Sequence, residues 1–406
     1  ELPLESFIHV PYKPKFKLDY VAGGGGVGVG TGSMLGGTMT GLAGGMDMIF
    51  SDILGDNQLY TSLFMNGEIY DFGGALAYIN RKRRLNWGVG ISHIPLRSGW
   101  VSPLALDTLT FNDGSQALAL RQSTNIARIF EEKVNLFAQY PFSRILRVEG
   151  GASFAFYSNR LDRYDNYYTL AGTFIGSERS KVAPEEAGLR LFQGALGAVN
   201  AGLVGDNAIF GLASPIKGHR FRLSGERFFG DYNFYNVTAD GRKYVFAKPF
   251  TFAGRVMHYG RYGPDGNSFY PIFLGFPWYI RGYEFGNASE ILQQNNRSVD
   301  ELLGSKIAVA NFEIRTPFTG PEQLALIKSR VLFTELAFFA DAGMAWDTFS
   351  KPVDGRIRQF DFNPLYSAGV SMRINLFGAL ILEPYYAWPL LKDTKGTFGL
   401  NIVPGW

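Results

Sequence analysis

The feature that most constrains this chain is a period-two alternation of apolar and polar residues, which recurs along most of its length. Alternate residues of a strand face opposite sides, and one stretch shows this clearly. One side carries Leu146, Val148, Gly150, Ala152, Phe154 and Phe156, and the other carries Arg147, Glu149, Gly151, Ser153 and Tyr157. The sequence contains no run of about 18 apolar residues that would form a transmembrane helix. We therefore predict an all-β fold.

Two classes of all-β protein fit this alternation: a transmembrane β-barrel and a soluble protein such as a propeller. Sixteen predicted strands leave long segments at 96–114, 160–187 and 263–303, all at the same end, whereas most turns at the other end are tight. Outer-membrane barrels have short periplasmic turns and longer extracellular loops. No internal repeat supports a propeller. The sequence predicts a sixteen-stranded antiparallel transmembrane β-barrel with both termini in the periplasm.

Composition argues against several other functions. The chain has no Cys, so disulfides are excluded, and its net charge of +3 is too small to indicate nucleic acid as a partner. The four His residues are scattered without metal-ligand spacing, and no Gly-x-Ser-x-Gly motif is present. We therefore expect no catalytic residues, no metal site and no cofactor, and we do not predict an enzyme.

The beginning of the chain has two notable features. Residues 1–14 include Pro3 and Pro11 but no signal peptide, and we interpret them as a periplasmic linker from a missing upstream domain, with the barrel over 15–406. The first predicted strand then enters a glycine run, in which glycine weakens the strand. This run is either a barrel corner or a loop, or it belongs to a weakly paired first strand that can part from the last. It comprises Gly23, Gly24, Gly25 and Gly26.

Two short motifs are candidates for a functional site. Residues 278–284 lie in the longest predicted loop, and residues 339–343 lie inside an alternating strand. Strand parity places Asp341 and Glu313 on neighbouring strands and on the same lumen-facing side. Because a guanidinium is a planar fork suited to carboxylates, Arg281 could pair with both acids. The alternative is that these acids are ordinary charged wall residues. The candidate residues are Arg281, Gly282, Tyr283, Glu313, Phe339, Asp341 and Gly343.

These motifs resemble the BamA/TamA superfamily of outer-membrane assembly factors and transporters, the bacterial surface antigen barrels. In that family an Arg-Gly-Tyr or Arg-Gly-Phe loop tip folds back into the barrel. There it meets a Phe-x-Asp-x-Gly strand motif, with a further acid on the preceding strand. The resemblance is strongest from 273 to 406. Residues 50–56 also resemble barrels that follow periplasmic propeller domains in Bacteroidota.

The resemblance implies a protein that assists the insertion, assembly or translocation of other proteins at the outer membrane. The arginine loop would be held in the lumen, and a weak seam would join the first strand to the last. Implied partners are outer-membrane lipid and lipopolysaccharide, protein substrates, and periplasmic or lipoprotein partners. The alternatives are a passive channel or membrane anchor for a periplasmic domain, and a barrel hydrolase. Besides the glycine run, the residues assigned to the seam and C-terminal signal are Phe398, Leu400 and Trp406.

Overall fold

Strands make up most of the computed structural model, which describes residues 12–29, 40–65, 71–110, 114–187, 191–269, 271–323, 325–347, 363–376 and 380–402. Most of the described residues lie in strands, which confirms the predicted all-β class. The described helices are short: α1 (Ala288–Gln293) and the 3₁₀ helices Pro184–Ala187 and Val299–Leu302. No helix within these ranges is long and apolar enough to cross a membrane.

The chain divides into two compact units, of which the N-terminal unit covers 1–31, 38–138 and 151–197. Antiparallel pairing joins consecutive strands from β1 to β5, and also joins β6 to β7 and β8 to β9. These strands are β1 (Lys17–Val29), β2 (Thr40–Ser51), β3 (Asn57–Met65), β4 (Phe72–Asn80), β5 (Asn86–Val101), β6 (Ala105–Thr110), β7 (Gln116–Pro141), β8 (Leu146–Tyr168) and β9 (Phe174–Val182).

The C-terminal unit covers 32–37, 139–150 and 198–406. Its strands include most of β10 (Gly194–Asp206), followed by β11 (Ile209–Phe210), β12 (Pro215–Gly230), β13 (Phe234–Ala247), β14 (Phe250–Tyr262), β15 (Ile272–Phe273), β16 (Leu303–Gly304), β17 (Lys306–Gly320), β18 (Ile327–Lys328), β19 (Phe333–Trp346), β20 (Leu365–Leu376), β21 (Leu380–Pro389) and β22 (Thr397–Asn401). Antiparallel pairing follows the order β12, β13, β14, β17, β19, β20, β21, β22. The short β18 is parallel to β17, and β15 and β16 form a separate pair.

The number of strands differs from the sixteen predicted. Each predicted strand overlaps an observed one, but the described residues contain 22 strands, four of them only two residues long. Strands β6 and β9 lie in segments predicted to be loops. In the β8–β9 hairpin, charged residues face one another, with Asp162 opposite Lys181 and Asp165 opposite Glu178. Because such strands carry polar residues on both faces, they lack the alternation by which a strand is recognised.

Alternation along β19 separates an apolar exposed face from a charged buried one. Phe338 is 65% exposed, whereas its neighbour Phe339 is 4% exposed and Asp341 is 3% exposed. The adjacent β17 repeats the pattern, with Phe312 exposed and Glu313 fully buried. Strand parity assigns Phe338 and Phe312 to the face opposite Asp341 and Glu313, and the observed burial confirms that assignment. The buried face is the one that carries the candidate site.

Candidate functional site

Residues 263–305, here called the arginine loop, connect β14 to β17 and pack on the buried face of the C-terminal unit. They contain β15, α1, a 3₁₀ helix and β16. The side chains of Leu274, Ile280 and Tyr283 are fully buried, and they form one hydrophobic cluster with Ile307 of β17 and Leu365 of β20. Burial of apolar area at roughly 25 cal/mol per Å² favours this packing. The loop is therefore an integral part of the packed structure.

Arg281 lies at the centre of the contacts between the arginine loop and the strands. Its Nε and Nη2 atoms each donate to Asp341 at 2.8 Å, which is a bidentate pair. Its Nη1 lies 2.8 Å from Glu313 Oε1 and 3.3 Å from Glu383 Oε1. The guanidinium carbon also lies 3.5 Å from the centre of the Phe339 ring, where a cation–π interaction forms. One cation of the loop thus contacts β17, β19 and β21.

The electrostatics of the site keep Arg281 ionised. Burial by itself would lower the pKa of the guanidinium, because a charge loses its hydration in the interior. The carboxylates of Asp341, Glu313 and Glu383 outweigh that effect and raise the pKa above its ordinary value. Arg281 is therefore a fixed positive charge, which suits structural pairing and does not suit proton transfer.

Two further buried arginines extend the ionic network on the strands. Arg315 Nε donates to Glu313 at 2.6 Å, and Arg373 Nη2 donates to the same carboxylate at 2.9 Å. Arg373 also lies 3.3 Å from Glu335 and 3.2 Å from Glu383. Together with Arg281 and Asp341, these residues place three guanidinium groups among four carboxylates.

Sequence reasoning did not assign Arg315, Arg373, Glu335 and Glu383 to the site. Strand parity, the available signal, places Arg315 and Glu335 on the same predicted lumen-facing side as Glu313 and Asp341, and it places Arg373 opposite the apolar side of its strand. What joins them is strand register, since Glu335 is opposite Arg373 across β19 and β20. Periodicity alone does not predict strand register, because alternation fixes the face on which a residue lies but not the residue that it pairs with on the neighbouring strand.

Gly282 and Tyr283 fix the backbone next to Arg281. Gly282 has a φ of +97°, a conformation that residues with a Cβ rarely adopt, and its N–H donates to Glu284 at 2.9 Å. The Tyr283 hydroxyl donates to the Tyr366 carbonyl at 2.9 Å, and the Tyr385 hydroxyl donates to Glu284. These bonds tie the turn that follows Arg281 to β20 and β21.

The strand motif at 339–343 supplies the charge of Asp341 and also allows the arginine loop to approach β19 closely. A Cβ added to Gly343 would lie 3.0 Å from a methyl carbon of Leu274, so the small residue lets the loop pack directly on β19. Asn311 donates both to the Tyr279 carbonyl and to Asp341, each at 2.8 Å. Arg255 of β14 donates to the Trp278 carbonyl at 2.8 Å. The structure thus brings Arg281, Gly282, Tyr283, Glu313, Phe339, Asp341 and Gly343 together.

The residues assigned to the seam make no contact described for this cluster and are located as follows. Gly23 to Gly26 lie in β1 and pair with residues 43–46 of β2. Phe398 and Leu400 lie in β22 and are 70% and 51% exposed. Trp406 lies outside the described residues, as do residues 1–11 of the predicted linker. The seam and the linker stay predictions.

The N-terminal unit has a second buried ionic cluster that sequence reasoning missed. Arg128 of β7 is fully buried, with its Nε 2.7 Å from Asp71 and its Nη1 2.6 Å from Asp162 of β8. Arg160 lies 2.8 Å from the same Asp162 carboxylate. Asp162 falls in the segment predicted to be a loop, and for that reason its partnership with Arg128 was not anticipated. Among the described residues, no group of three or more His, Cys, Asp or Glu side chains is arranged to hold a metal ion.

A large, almost entirely antiparallel sheet with an apolar exposed face and charged groups on the opposite face is typical of outer-membrane β-barrel proteins. The chain belongs to the Omp85 superfamily: the model of the Omp85 superfamily domain matches residues 135–402, which include the whole arginine loop and its carboxylate partners. Barrels of this family are outer-membrane proteins, and its members are non-enzymatic assembly and transport proteins.

Three solved structures are similar to this chain. BamA from Haemophilus ducreyi lacking POTRA domains 1–3 is 14% identical, with a TM-score of 0.52, and the match covers 95% of this chain and 69% of that one. CdiB from Acinetobacter baumannii and CdiB from Escherichia coli are each 11% identical with TM-scores of 0.44. These two matches cover 89% and 97% of this chain, but 56% and 63% of the CdiB chains. A search of curated protein sequences finds no match.

Proposed function

We propose that this outer-membrane protein assists the insertion or translocation of other proteins, and that the arginine loop serves as a fixed element against which the strands are held. The observation that carries the proposal is the buried Arg281 network, which lies inside the matched family region. The partners we propose are protein substrates, periplasmic or lipoprotein partners, and outer-membrane lipid and lipopolysaccharide.

In this proposal Arg281, Glu313 and Asp341, here called the clamp, have a positional role. Burying a charge is costly unless it is paired and hydrogen-bonded. Removing one partner of a buried pair is costly in turn, because it leaves the other uncompensated. The clamp therefore favours one loop position strongly over any position in which the carboxylates lose their cation. A loop fixed in the lumen would keep the barrel interior constant while another part of the wall moves.

The moving part we propose is a seam between β1 and β22, with both termini on the periplasmic side. Four consecutive glycines in β1 contribute no side chains to cross-strand packing, which is the main source of sheet stability. Strand β22 has only five residues, and its pairing with β21 runs from Thr397 to Asn401. Opening such a seam would expose backbone donors and acceptors to which an incoming strand could pair.

A disulfide placed across the seam tests this proposal. Because the sequence contains no Cys, no native thiol can form a competing disulfide. The variant carries Val21→Cys and Leu400→Cys, and the control carries Val21→Cys and Met48→Cys, which are opposite one another in β1 and β2. Oxidation of the seam variant should abolish complementation of a depleted strain, and reduction should restore it. The control should complement under both conditions. Normal complementation by the oxidised seam variant contradicts the seam.

The alternative function, a passive channel or anchor, predicts a different outcome of depletion. An assembly or translocation factor should lower the amounts of other outer-membrane or secreted proteins when it is depleted. A passive channel should leave those amounts unchanged and show high small-solute conductance in planar bilayers. Quantitative proteomics of outer-membrane fractions before and after depletion separates the two.

A further inference from the structure

The exposed face of the C-terminal unit carries an elongated groove. A cavity of about 750 Å³ extends over β12, β13, β14, β17, β19 and β20 on the side opposite the arginine loop. Its floor consists of small residues, since the outward-facing positions of four adjacent strands are occupied by Gly241, Gly254, Ala310 and Ala340. If these four positions carried large side chains, the exposed face would be an even apolar surface without a groove.

Large apolar side chains form the walls of the groove. Val256 is 69% exposed, Phe312 and Tyr366 are each 47% exposed, and Leu390 is 59% exposed. Strand register explains the shape, because Phe312 is opposite Gly254 on one side and Ala340 on the other. A large residue between two small ones creates a ridge with a hollow on either side. The groove therefore follows from side-chain size on a regular sheet.

Basic side chains lie at one end of the groove. His219 and Lys243 are opposite one another in β12 and β13, and both line the groove. The same two residues line a second cavity of about 370 Å³, which also contacts Lys217 and Asn207. Lys217 and Lys243 are exposed. The apolar groove is thus continuous with the smaller cavity, which is lined by basic side chains.

Cations are unfavourable on this face. On the lipid side of an outer-membrane barrel, a Lys costs about 2–4 kcal/mol at the bilayer midplane and about 0–1 kcal/mol near the interfaces. Neither Lys217 nor Lys243 has an ion-pair partner in the part of the chain that the structure describes. An anionic group supplied by the membrane would neutralise them, because lysine can keep its apolar stem in an apolar layer while its charged end reaches a polar group.

We propose that this groove and its basic end bind one anionic glycerophospholipid, with an acyl chain along the small-residue floor and the phosphate at Lys217 and Lys243. The cavity volume falls within the range of roughly 300–1,000 Å³ typical of sites for a single small ligand. It suits one or two acyl chains and is too small for the several chains of lipopolysaccharide. The inference rests on the outer-membrane placement and is independent of what the protein inserts or transports.

Native mass spectrometry of the full chain in detergent tests the site. Delipidated protein is titrated with phosphatidylglycerol or with phosphatidylcholine of the same acyl chains. Wild-type protein should prefer phosphatidylglycerol, and the Lys217→Gln/Lys243→Gln variant should lose that preference by about 30-fold, the size expected for two basic side chains beside an anionic lipid. Lys248→Gln is the matched control, because Lys248 is an exposed turn residue at the end of the same strand. It should retain the wild-type preference.

A second variant tests the groove separately from the charge. Ala310→Phe should fill the floor and weaken binding of both lipids while leaving the ratio between them unchanged. Heat-modifiable migration on a gel establishes that each variant is folded before titration. Equal binding of both lipids by wild-type protein overturns the proposal. So does an unchanged preference in the double lysine variant, or stronger retention of lipopolysaccharide than of phosphatidylglycerol.

Discussion

Replacing Arg281 with methionine tests whether buried ion pairing holds the arginine loop on the strands. Methionine keeps the length and much of the apolar volume of the arginine stem, so the main loss is the charge and its hydrogen bonds. The substitution leaves two guanidinium groups, those of Arg315 and Arg373, for four buried carboxylates. Asp341 is affected most, because it loses the bidentate pair and keeps only neutral donors among those described, the Asn311 amide and the backbone N–H of residue 281.

The expected loss follows from the burial of both partners. Arg281 and Asp341 have side chains that are 3% and 0% exposed, so solvent screening does not reduce their interaction. Removing one partner of such a pair costs about 3–5 kcal/mol. Glu313 retains Arg315 and Arg373, which places the estimate toward the lower end of that range. A loss of about 3 kcal/mol corresponds to an increase of roughly 150-fold in the population of the opened loop.

Hydrogen–deuterium exchange of the loop amides measures this population directly. Useful reporters are the Leu274 N–H, which donates to the Leu302 carbonyl at 2.7 Å, and the Ile280 N–H, which donates to Phe276 at 3.1 Å. Arg297→Met is the control. Its ion pair with Glu301 is 20% and 26% exposed, and it also donates an exposed hydrogen bond to the Asn363 carbonyl, so the substitution should cost about 1 kcal/mol in total.

If Arg281→Met changes exchange of these amides no more than Arg297→Met does, buried ion pairing by Arg281 does not hold the loop on the strands. A double-mutant cycle with Asp341→Asn adds a second criterion. Since the two side chains contact one another, the cost of the double substitution should be well below the sum of the two single costs. Strict additivity would mean that the pair contributes nothing specific to the position of the loop.

Three further predictions concern the backbone, the second ionic cluster and pH. Gly282→Ala should destabilise the loop by about 1–3 kcal/mol because of its positive φ, whereas Gly286→Ala, whose Cβ meets no atom within 4 Å, should stay within about 0.5 kcal/mol by the same exchange assay. Arg128→Met should cost about 3–5 kcal/mol in chemical denaturation, against about 0.2–1 kcal/mol for Arg121→Met, whose ion pair is one-third exposed. Burial raises the pKa of Tyr283 above its ordinary value, so the packed loop resists ionisation of this phenol more than the opened loop does. The stability of the packed arginine loop should therefore be constant below about pH 10 and fall as the pH rises further. Tyr283→Phe should remove this dependence on pH in a fluorescence titration.

Parts of the site were predictable because they depend on local pattern. Alternation along β19 assigns Asp341 and Phe338 to opposite faces, and the observed burial of these residues agrees. The candidate partners Arg281 and Asp341 are in contact, although the functional role of that contact stays a prediction. Glu383 was missed because its relation to Arg281 is set by the register of β20 and β21, over 102 residues of separation.

The charged hairpin of β8 and β9 shows a different limit. A strand beyond the apolar layer has no need for one apolar face, so its sequence resembles that of a loop. Arg128 likewise has an ordinary position in β7, and nothing local marks it as the fully buried partner of Asp71 and Asp162. Such clusters arise from contacts between strands that are distant in sequence, and periodicity does not contain that information.

By itself, the sequence determined the all-β class, the two faces of each regular strand and the residue types of the clamp, because these depend on a two-residue period and on neighbouring side chains. Only the tertiary structure decided which charges share one buried network and where the exposed face becomes a groove beside Lys243. Both depend on the register between strands, which is set by the packing of the whole sheet and its loop.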